Sequence, residues 1–329
     1  MAIAEPSTHA QKKPRILLID TLRGLALLAM ASYHFTWDLG FFGYIAPETA
    51  TQGAWKFYAR CIASSFLFLA GFSLVLAHLP HIRWQSFGKR FGMVAGAAFI
   101  ISVGTLFALP DEWIHFGILH NIALSGLIGL AFLRLPPLVT ALIAVGIVAA
   151  GYVNGYVYPG IFSSTFFDPR YLNWTGFAET PPRSNDFVPL FPWLAAPLMG
   201  IAAAKLALSR GWLTRLAAMQ TKPNILGRAG QHSLAFYLIH QPVLIGLVYL
   251  FSLAYPAPAP DPMEGYMRSC ESGCVGAGED AGMCQRFCSC TGERLAQQSL
   301  LVPMNQGQIN PQTDERVQSL AQECSLNAR

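Results

Sequence analysis

The sequence predicts an all-α fold: a polytopic membrane helical bundle of about seven spans, followed by a small cysteine-rich helical tail. Of the 329 residues, 53% are hydrophobic and only 12% are charged, whereas soluble domains average about 25% charged residues. The hydrophobic residues fall in blocks of about 20, the length that crosses the hydrocarbon of a bilayer. Six of the seven cysteines follow residue 269.

The apolar blocks indicate helices, because the strands of membrane barrels are shorter and alternate in polarity. A cleaved signal peptide is the alternative for the first block, since Lys12 and Lys13 precede it and Ala31 ends a small-residue site. Asp20 and Arg23 interrupt its apolar core, which favours an uncleaved first span. The predicted spans cover approximately residues 17–43, 57–79, 91–109, 113–133, 137–154, 188–208 and 232–254.

The distribution of Lys and Arg predicts the orientation, because cytoplasmic loops are enriched in both. With seven spans, the more basic segments, around residues 12–15, 83–90, 134 and 210–228, all fall on one side. That side is predicted to be the cytoplasm, which places the C-terminal tail outside. The predicted organisation is a cytoplasmic segment (1–15), a membrane domain (16–254), a proline-rich linker (255–262) and the extracytoplasmic tail (263–329).

The first span carries a polar stripe along one helical face. Asp20, Arg23, His34 and Asp38 are spaced so that they lie on the same side of the helix. Polar side chains at membrane depth are expensive and usually functional. The simpler interpretation is that Arg23 pairs with Asp20 at the headgroups and His34 bonds a neighbouring helix. The functional interpretation is that His34 performs acid–base chemistry while Asp38 holds its imidazole in one tautomer.

Other polar groups occur at depth in later spans, where they either join helices or bind a ligand. His120 lies in the fourth span, and His240 shares a face of the last span with Tyr237 and Gln241. The loop at about 155–187 is rich in aromatic residues, which suit either stacking on a sugar or an interfacial belt. No histidine pair has a convincing metal spacing, and no basic patch with interleaved aromatics predicts nucleic-acid binding.

Five segments together resemble a known family. The first is Ile19-Asp-Thr-Leu-Arg-Gly, which continues to His34 and is similar to the opening span of membrane-bound acyltransferases. The others are Ser65–Ser73, Phe116–His120, Asp186–Trp193 and Ser233–His240. Their order and spacing resemble the catalytic domain of the heparan-alpha-glucosaminide N-acetyltransferases and their bacterial relatives, within the transmembrane acyltransferase superfamily. The resemblance covers about residues 14–254.

The resemblance implies a membrane enzyme that transfers an acetyl group from cytoplasmic acetyl-CoA to an extracytoplasmic sugar, amino sugar or glycolipid. It implies a bacterial cytoplasmic (inner) membrane location and no metal. Two predictions from another class remain open: a transporter or flippase of a polar or glycolipid substrate, and a structural membrane module whose tail binds a protein partner. The predicted site residues are His34 and Asp38 as catalytic groups, Arg23, Asp20 and Arg90 as the CoA site, and Trp37, His120, Asp186, Trp193 and His240 as the acceptor site.

The tail contains two helically spaced cysteine pairs, Cys270/Cys274 and Cys284/Cys288, centred on the same position. In an antiparallel hairpin Cys274 faces Cys284 and Cys270 faces Cys288, which leaves Cys290 for Cys324. This is one of 15 connectivities that six cysteines allow. An extracytoplasmic location favours disulfides; thiolate ligands of a metal are the alternative.

Overall fold

The computed structural model describes residues 15–258 and 261–328, and over those ranges the fold is helical. The only β-type pairing there is an isolated bridge between Ser164 and Ala178. The chain divides into two compact units, one up to Leu253 and one from Ala254 onward.

Over its described residues the first unit contains ten α-helices, and each predicted span corresponds to one of the long helical stretches. Two short helices, α8 and α9, occupy a segment for which the sequence predicted none. The helices are α1 (Leu17–Phe41), α2 (Gly53–His78), α3 (Trp84–Ala108), α4 (Ile118–Phe132), α5 (Pro137–Tyr152), α6 (Leu190–Trp193), α7 (Ala195–Ser209), α8 (Trp212–Met219), α9 (Ile225–Gln231) and α10 (Ser233–Ala254).

Among the described residues, five helical stretches are long and apolar enough to cross a membrane. They are Gly53–His78, Trp84–Ala108, Pro137–Val157, Leu190–Ser209 and Ser233–Ala254. Large apolar side chains on α3, α5 and α10 face outward, for example Phe107, Leu138 and Leu247, which are 83%, 69% and 59% exposed. An apolar exterior is costly in water and favourable in lipid, so the chain is a membrane protein.

Helices α1 and α4 are not among the five. Charged and polar groups interrupt α1, and α4 has only 15 residues. The sequence placed the start of the fourth span at about residue 113, but α4 begins at Ile118. The preceding residues form a loop that His115 attaches to Asn173, with 2.9 Å between Nε2 and Oδ1. The Ile118 N–H donates to Asp186 Oδ2 at 2.9 Å, which fixes the start of the helix.

Two close backbone contacts organise the first unit. Helix α2 meets α7 through Gly71 and Gly200: a Cβ at either position would lie about 2 Å from a backbone oxygen of the other helix. Helix α9 rests on the first half of α1 in the same way, through Gly230 and Gly24. Small residues allow membrane helices to approach closely, so these glycines set the position of α1, which carries the polar stripe.

The second unit consists of α11 (Pro262–Gly276), α12 (Ala281–Gln297), α13 (Leu301–Asn305) and α14 (Glu315–Ala328). Its small core includes Leu295, Leu301 and Leu320. Three disulfides join Cys270 to Cys288, Cys274 to Cys284 and Cys290 to Cys324, which is the pairing predicted from the spacing. A unit this small gains much of its stability from such cross-links.

Candidate functional site

An arginine cluster lies at the start of α1. Asp20 is buried and accepts hydrogen bonds from Arg15 Nε at 2.5 Å and from Arg23 Nη1 at 2.9 Å. Arg23 Nη2 also donates to Ser73 Oγ of α2. The pairing of Arg23 with Asp20 agrees with the simpler interpretation of the sequence. The Arg23 side chain is only 18% exposed, however, so it connects two helices instead of extending to the surface.

Arg90 of α3 is close enough to Arg23 for their like charges to repel. Within the part of the chain that the structure describes, Arg90 makes no hydrogen bond or ion pair. It lines a cavity of about 50 Å³ between α2, α3, α4 and α7. Ser125 of α4 lines the same cavity, and its Oγ is buried without a hydrogen-bond partner in the part of the chain that the structure describes. The sequence analysis missed Ser125, although it lies one turn after Asn121 on the polar face of an apolar helix.

A pair of histidines connects α1 and α10. The rings of His34 and His240 lie with their centroids 5.0 Å apart, at 63° to each other. His240 Nδ1 is 2.7 Å from the backbone oxygen of Tyr237. Its Nε2 is buried and has no hydrogen-bond partner among the described residues. His34 makes no hydrogen bond to a residue within 15–258 or 261–328, and its ring meets the edge of the adjacent Tyr33.

Asp38 is fully buried but does not form the predicted contact with His34. Its Oδ1 accepts a hydrogen bond from Gln241 Nε2 of α10 at 2.7 Å. The Gln241 amide of α10 supplies this carboxyl with a donor, and a buried polar group is costly without one. This hydrogen bond joins α1 to α10 at Gln241, the residue that follows His240.

Asp186 also forms a hydrogen bond with α10, to Tyr237, which lies one turn before Gln241. Its Oδ2 accepts from the Ile118 N–H and, at 3.3 Å, from the Tyr237 hydroxyl. Gly117 leaves the room for this carboxyl, since a Cβ there would lie 2.3 Å from Oδ2. Removal from water raises the pKa of Asp186, while the bond from Ile118 opposes the increase. Trp193 and Tyr237 pack against the same apolar cluster.

The structure does not place the other two predicted acceptor residues against the histidine pair. His120 Nδ1 accepts from the Gly117 N–H at 3.1 Å, and its Nε2 lies 3.2 Å from Ser102 Oγ. Both ring nitrogens are thus engaged at the start of α4. Trp37 stacks on Phe41 of its own helix, with 5.3 Å between ring centroids.

The comparisons with known proteins gave one result. A family model described as "Heparan-alpha-glucosaminide N-acetyltransferase, catalytic" matches residues 15–242, which is most of the chain and includes the arginine cluster and both histidines. No match was found among curated proteins or among solved structures. Among the described residues, no group of three or more His, Cys, Asp or Glu side chains is arranged to hold a metal ion.

Proposed function

We propose, for a chain that belongs to the catalytic family of the heparan-alpha-glucosaminide N-acetyltransferases, that it transfers an acetyl group from acetyl-CoA across the membrane to a sugar or amino sugar. The family is one of membrane acetyltransferases; the donor, the side of the acceptor and its chemistry are our proposal. The observation that carries it is the pair formed by half-buried His34 and buried His240, which lies in the matched region together with the arginine cluster.

The arginine cluster is the proposed site for the CoA phosphates. Arg15 and Arg23 both pair with the buried carboxylate of Asp20, and Arg90 lies near Arg23 without an ion pair of its own among the described residues, so the cluster has a positive excess. Guanidinium groups bind phosphate strongly through charge-assisted hydrogen bonds. Arg90 is the most available of the three, because it has no partner among the described residues.

The cavity beside Arg90 is the proposed start of the path for the pantetheine arm. The unpartnered Ser125 hydroxyl offers that arm a hydrogen bond. Ile122 lines the cavity and also packs in two of the apolar clusters that include Tyr237. The proposed path continues from the cavity past Ile122 toward the turn of α10 that carries His240.

The histidine pair is the proposed site of transfer. Arg23 and His34 are eleven residues apart on α1, or about 16 Å along the helix axis, so donor binding and transfer take place at different depths. His34 acts as general base and takes the proton from the acceptor nitrogen or oxygen. That atom bonds to the acetyl carbon, the bond from carbon to sulfur breaks, and the proton goes to the leaving sulfur.

The proposed orientation has the N-terminus in the cytoplasm of a bacterium and the tail outside the inner membrane. The distribution of Lys and Arg supports it. The three disulfides of the second unit also support it, because such cross-links persist in oxidising compartments. An external protein partner of the tail is part of the proposal.

Binding and transfer by the full chain in detergent test this function. Arg90→Ala removes a guanidinium group without leaving any described residue unpaired. The control is Arg215→Ala, which removes an exposed arginine of α8. We expect Arg90→Ala to weaken acetyl-CoA binding by about 10- to 100-fold, the value of one or two charged hydrogen bonds. Arg215→Ala should bind like the wild type.

His34→Ala should bind acetyl-CoA normally and lose transfer of labelled acetyl to glucosamine, while the exposed His81→Ala keeps both. If the folded wild type binds no acetyl-CoA, the acetyltransferase proposal fails and a transporter becomes the better hypothesis. If His34→Ala transfers acetyl at the wild-type rate, His34 is not the base.

A further inference from the structure

We propose that His240 is the positioning partner of His34 and receives, through its Nε2, the proton that passes through His34 during transfer. This inference rests on the proposed acetyltransferase function. It gives His240 a different role from acceptor binding, the role that the sequence predicted, and it replaces Asp38 as the partner of the catalytic imidazole.

The tautomer of His240 follows from its surroundings. A backbone carbonyl oxygen can only accept a hydrogen bond, so the nitrogen 2.7 Å from the Tyr237 oxygen, Nδ1, carries a hydrogen. In the neutral ring the lone pair is then on Nε2, which can accept a proton but has none to give. Nε2 is buried, and no residue within the described ranges forms a hydrogen bond with it. Unpaired buried polar atoms are rare and costly, which points to a partner during the reaction.

His34 is the neighbour that can supply that partner. Its ring lies edge-on to His240 at 5.0 Å between centroids, and no hydrogen bond to a described residue fixes it. Rotation of the His34 side chain turns one of its nitrogens toward His240 Nε2. The other nitrogen is then left to face an acceptor.

Two hydrogen bonds hold α10 on either side of His240. The Tyr237 hydroxyl donates to Asp186, which also caps the start of α4. The Gln241 amide donates to Asp38 of α1. Asp38 and Asp186, two of the carboxylates that the sequence assigned to the site, therefore fix the helix that carries His240. Fixed neighbours of this kind are what a catalytic group needs to keep its geometry.

The proton transfers balance. The acceptor nitrogen or oxygen bonds to the acetyl carbon and gives its proton to one nitrogen of His34. The other nitrogen of His34 passes its own proton to His240 Nε2. The positive charge then lies on His240, where the bond from Nδ1 to the Tyr237 carbonyl becomes charge-assisted and stronger. As the bond to sulfur breaks, the proton returns through His34 to the sulfur of CoA.

His240→Asn is the sharpest variant, because its side-chain amide replaces Nδ1 as donor to the Tyr237 carbonyl and deletes only the Nε2 end. His81→Asn is the surface control. We expect His240→Asn to reduce kcat on the order of 10²-fold, the lower value for acid–base effects. Acetyl-CoA affinity and the KM for the acceptor should stay within a factor of two or so of wild type.

The pH profile of kcat should also change. The titratable and charged groups around His240 are His34, Tyr33 and Asp38 of α1, Asp186 before α6, and Tyr237 of its own helix. All of them remain in His240→Asn, so an altered acidic limb, where Nε2 must be unprotonated to accept the proton, reports the loss of His240 itself. A drop in kcat with an equal loss of acetyl-CoA affinity would instead make His240 a binding residue and overturn the proposal.

The wild type provides a test that does not depend on folding of the variant. Rates measured in mixtures of H2O and D2O should fall along a curve, because two protons move together through His34 and His240. A straight line, meaning one moving proton, refutes the relay. These outcomes are distinguishable from failure of the proposed function. If the wild type transfers no acetyl group at all, the proposed function is refuted. If it transfers acetyl with a rate that depends linearly on the D2O fraction, only the role of His240 is refuted.

Discussion

Gly24 follows Arg23 in α1 and is one of the residues of that helix that contact α9. A Cβ at position 24 would lie 1.9 Å from the Leu226 backbone oxygen and 2.5 Å from its carbonyl carbon. Ordinary contact begins near 3.4 Å, so Gly24→Ala forces α9 and α1 apart by about 1.5 Å. Neither side can yield by rotating a side chain, because the contact is with backbone.

Two effects follow from that displacement. Overpacking of this kind costs about 1–3 kcal/mol of stability. A misplacement of about 1 Å in substrate positioning costs on the order of 10²-fold in rate even when the mutation is far from the chemistry, and Arg23 of the proposed CoA site is adjacent to the displaced residue. We therefore expect Gly24→Ala to lower both the unfolding temperature and the rate of acetyl transfer.

The control is Gly146→Ala in α5. Nothing lies within 4 Å of a Cβ at that position, and glycine to alanine in an unstrained helix is neutral or stabilises by about 0.4–1 kcal/mol. Thermal unfolding in detergent, followed by tryptophan fluorescence, measures the first effect, and labelled acetyl transfer measures the second. If Gly24→Ala unfolds and reacts like Gly146→Ala, then α9 does not fix α1 and the packing argument is refuted.

Two further predictions concern the remaining cross-links. Gln241→Leu leaves the buried Asp38 carboxyl without its donor and should destabilise the protein by about 1–3 kcal/mol. Thermal unfolding of the two single variants and of the double variant Asp38→Leu/Gln241→Leu checks this, because removing both partners should restore most of the lost stability. Simple additivity of the two single effects would contradict the pairing. Reduction of the three disulfides should lower the stability of the second unit by about 2–5 kcal/mol. Limited proteolysis should then cut between residues 261 and 328 while the first unit stays intact. If the reduced tail resists the protease, its apolar core is sufficient without the disulfides.

The sequence by itself determined the membrane-spanning part of the fold, since lipid cannot hydrogen-bond a backbone and each crossing must be a long apolar helix. The blocks of hydrophobic residues therefore located the helical stretches of the first unit, five of which are long and apolar enough to cross a membrane among the described residues. Local spacing also determined the cysteine pairing of the tail, because two pairs centred on one turn meet in register. Periodicity likewise placed Asp20, Arg23, His34 and Asp38 on one face of α1.

Only the tertiary structure decided which groups meet that face. His34 lies beside His240, more than 200 residues away, and Asp38 bonds Gln241 instead of the imidazole one turn earlier. His120 accepts a hydrogen bond from Gly117 at the start of α4. Position 24 must be glycine because the backbone of α9 lies against it. A periodic pattern defines which side chains share a helical surface, but the partner of each one depends on how distant helices approach and rotate against one another, and no local stretch of sequence encodes that.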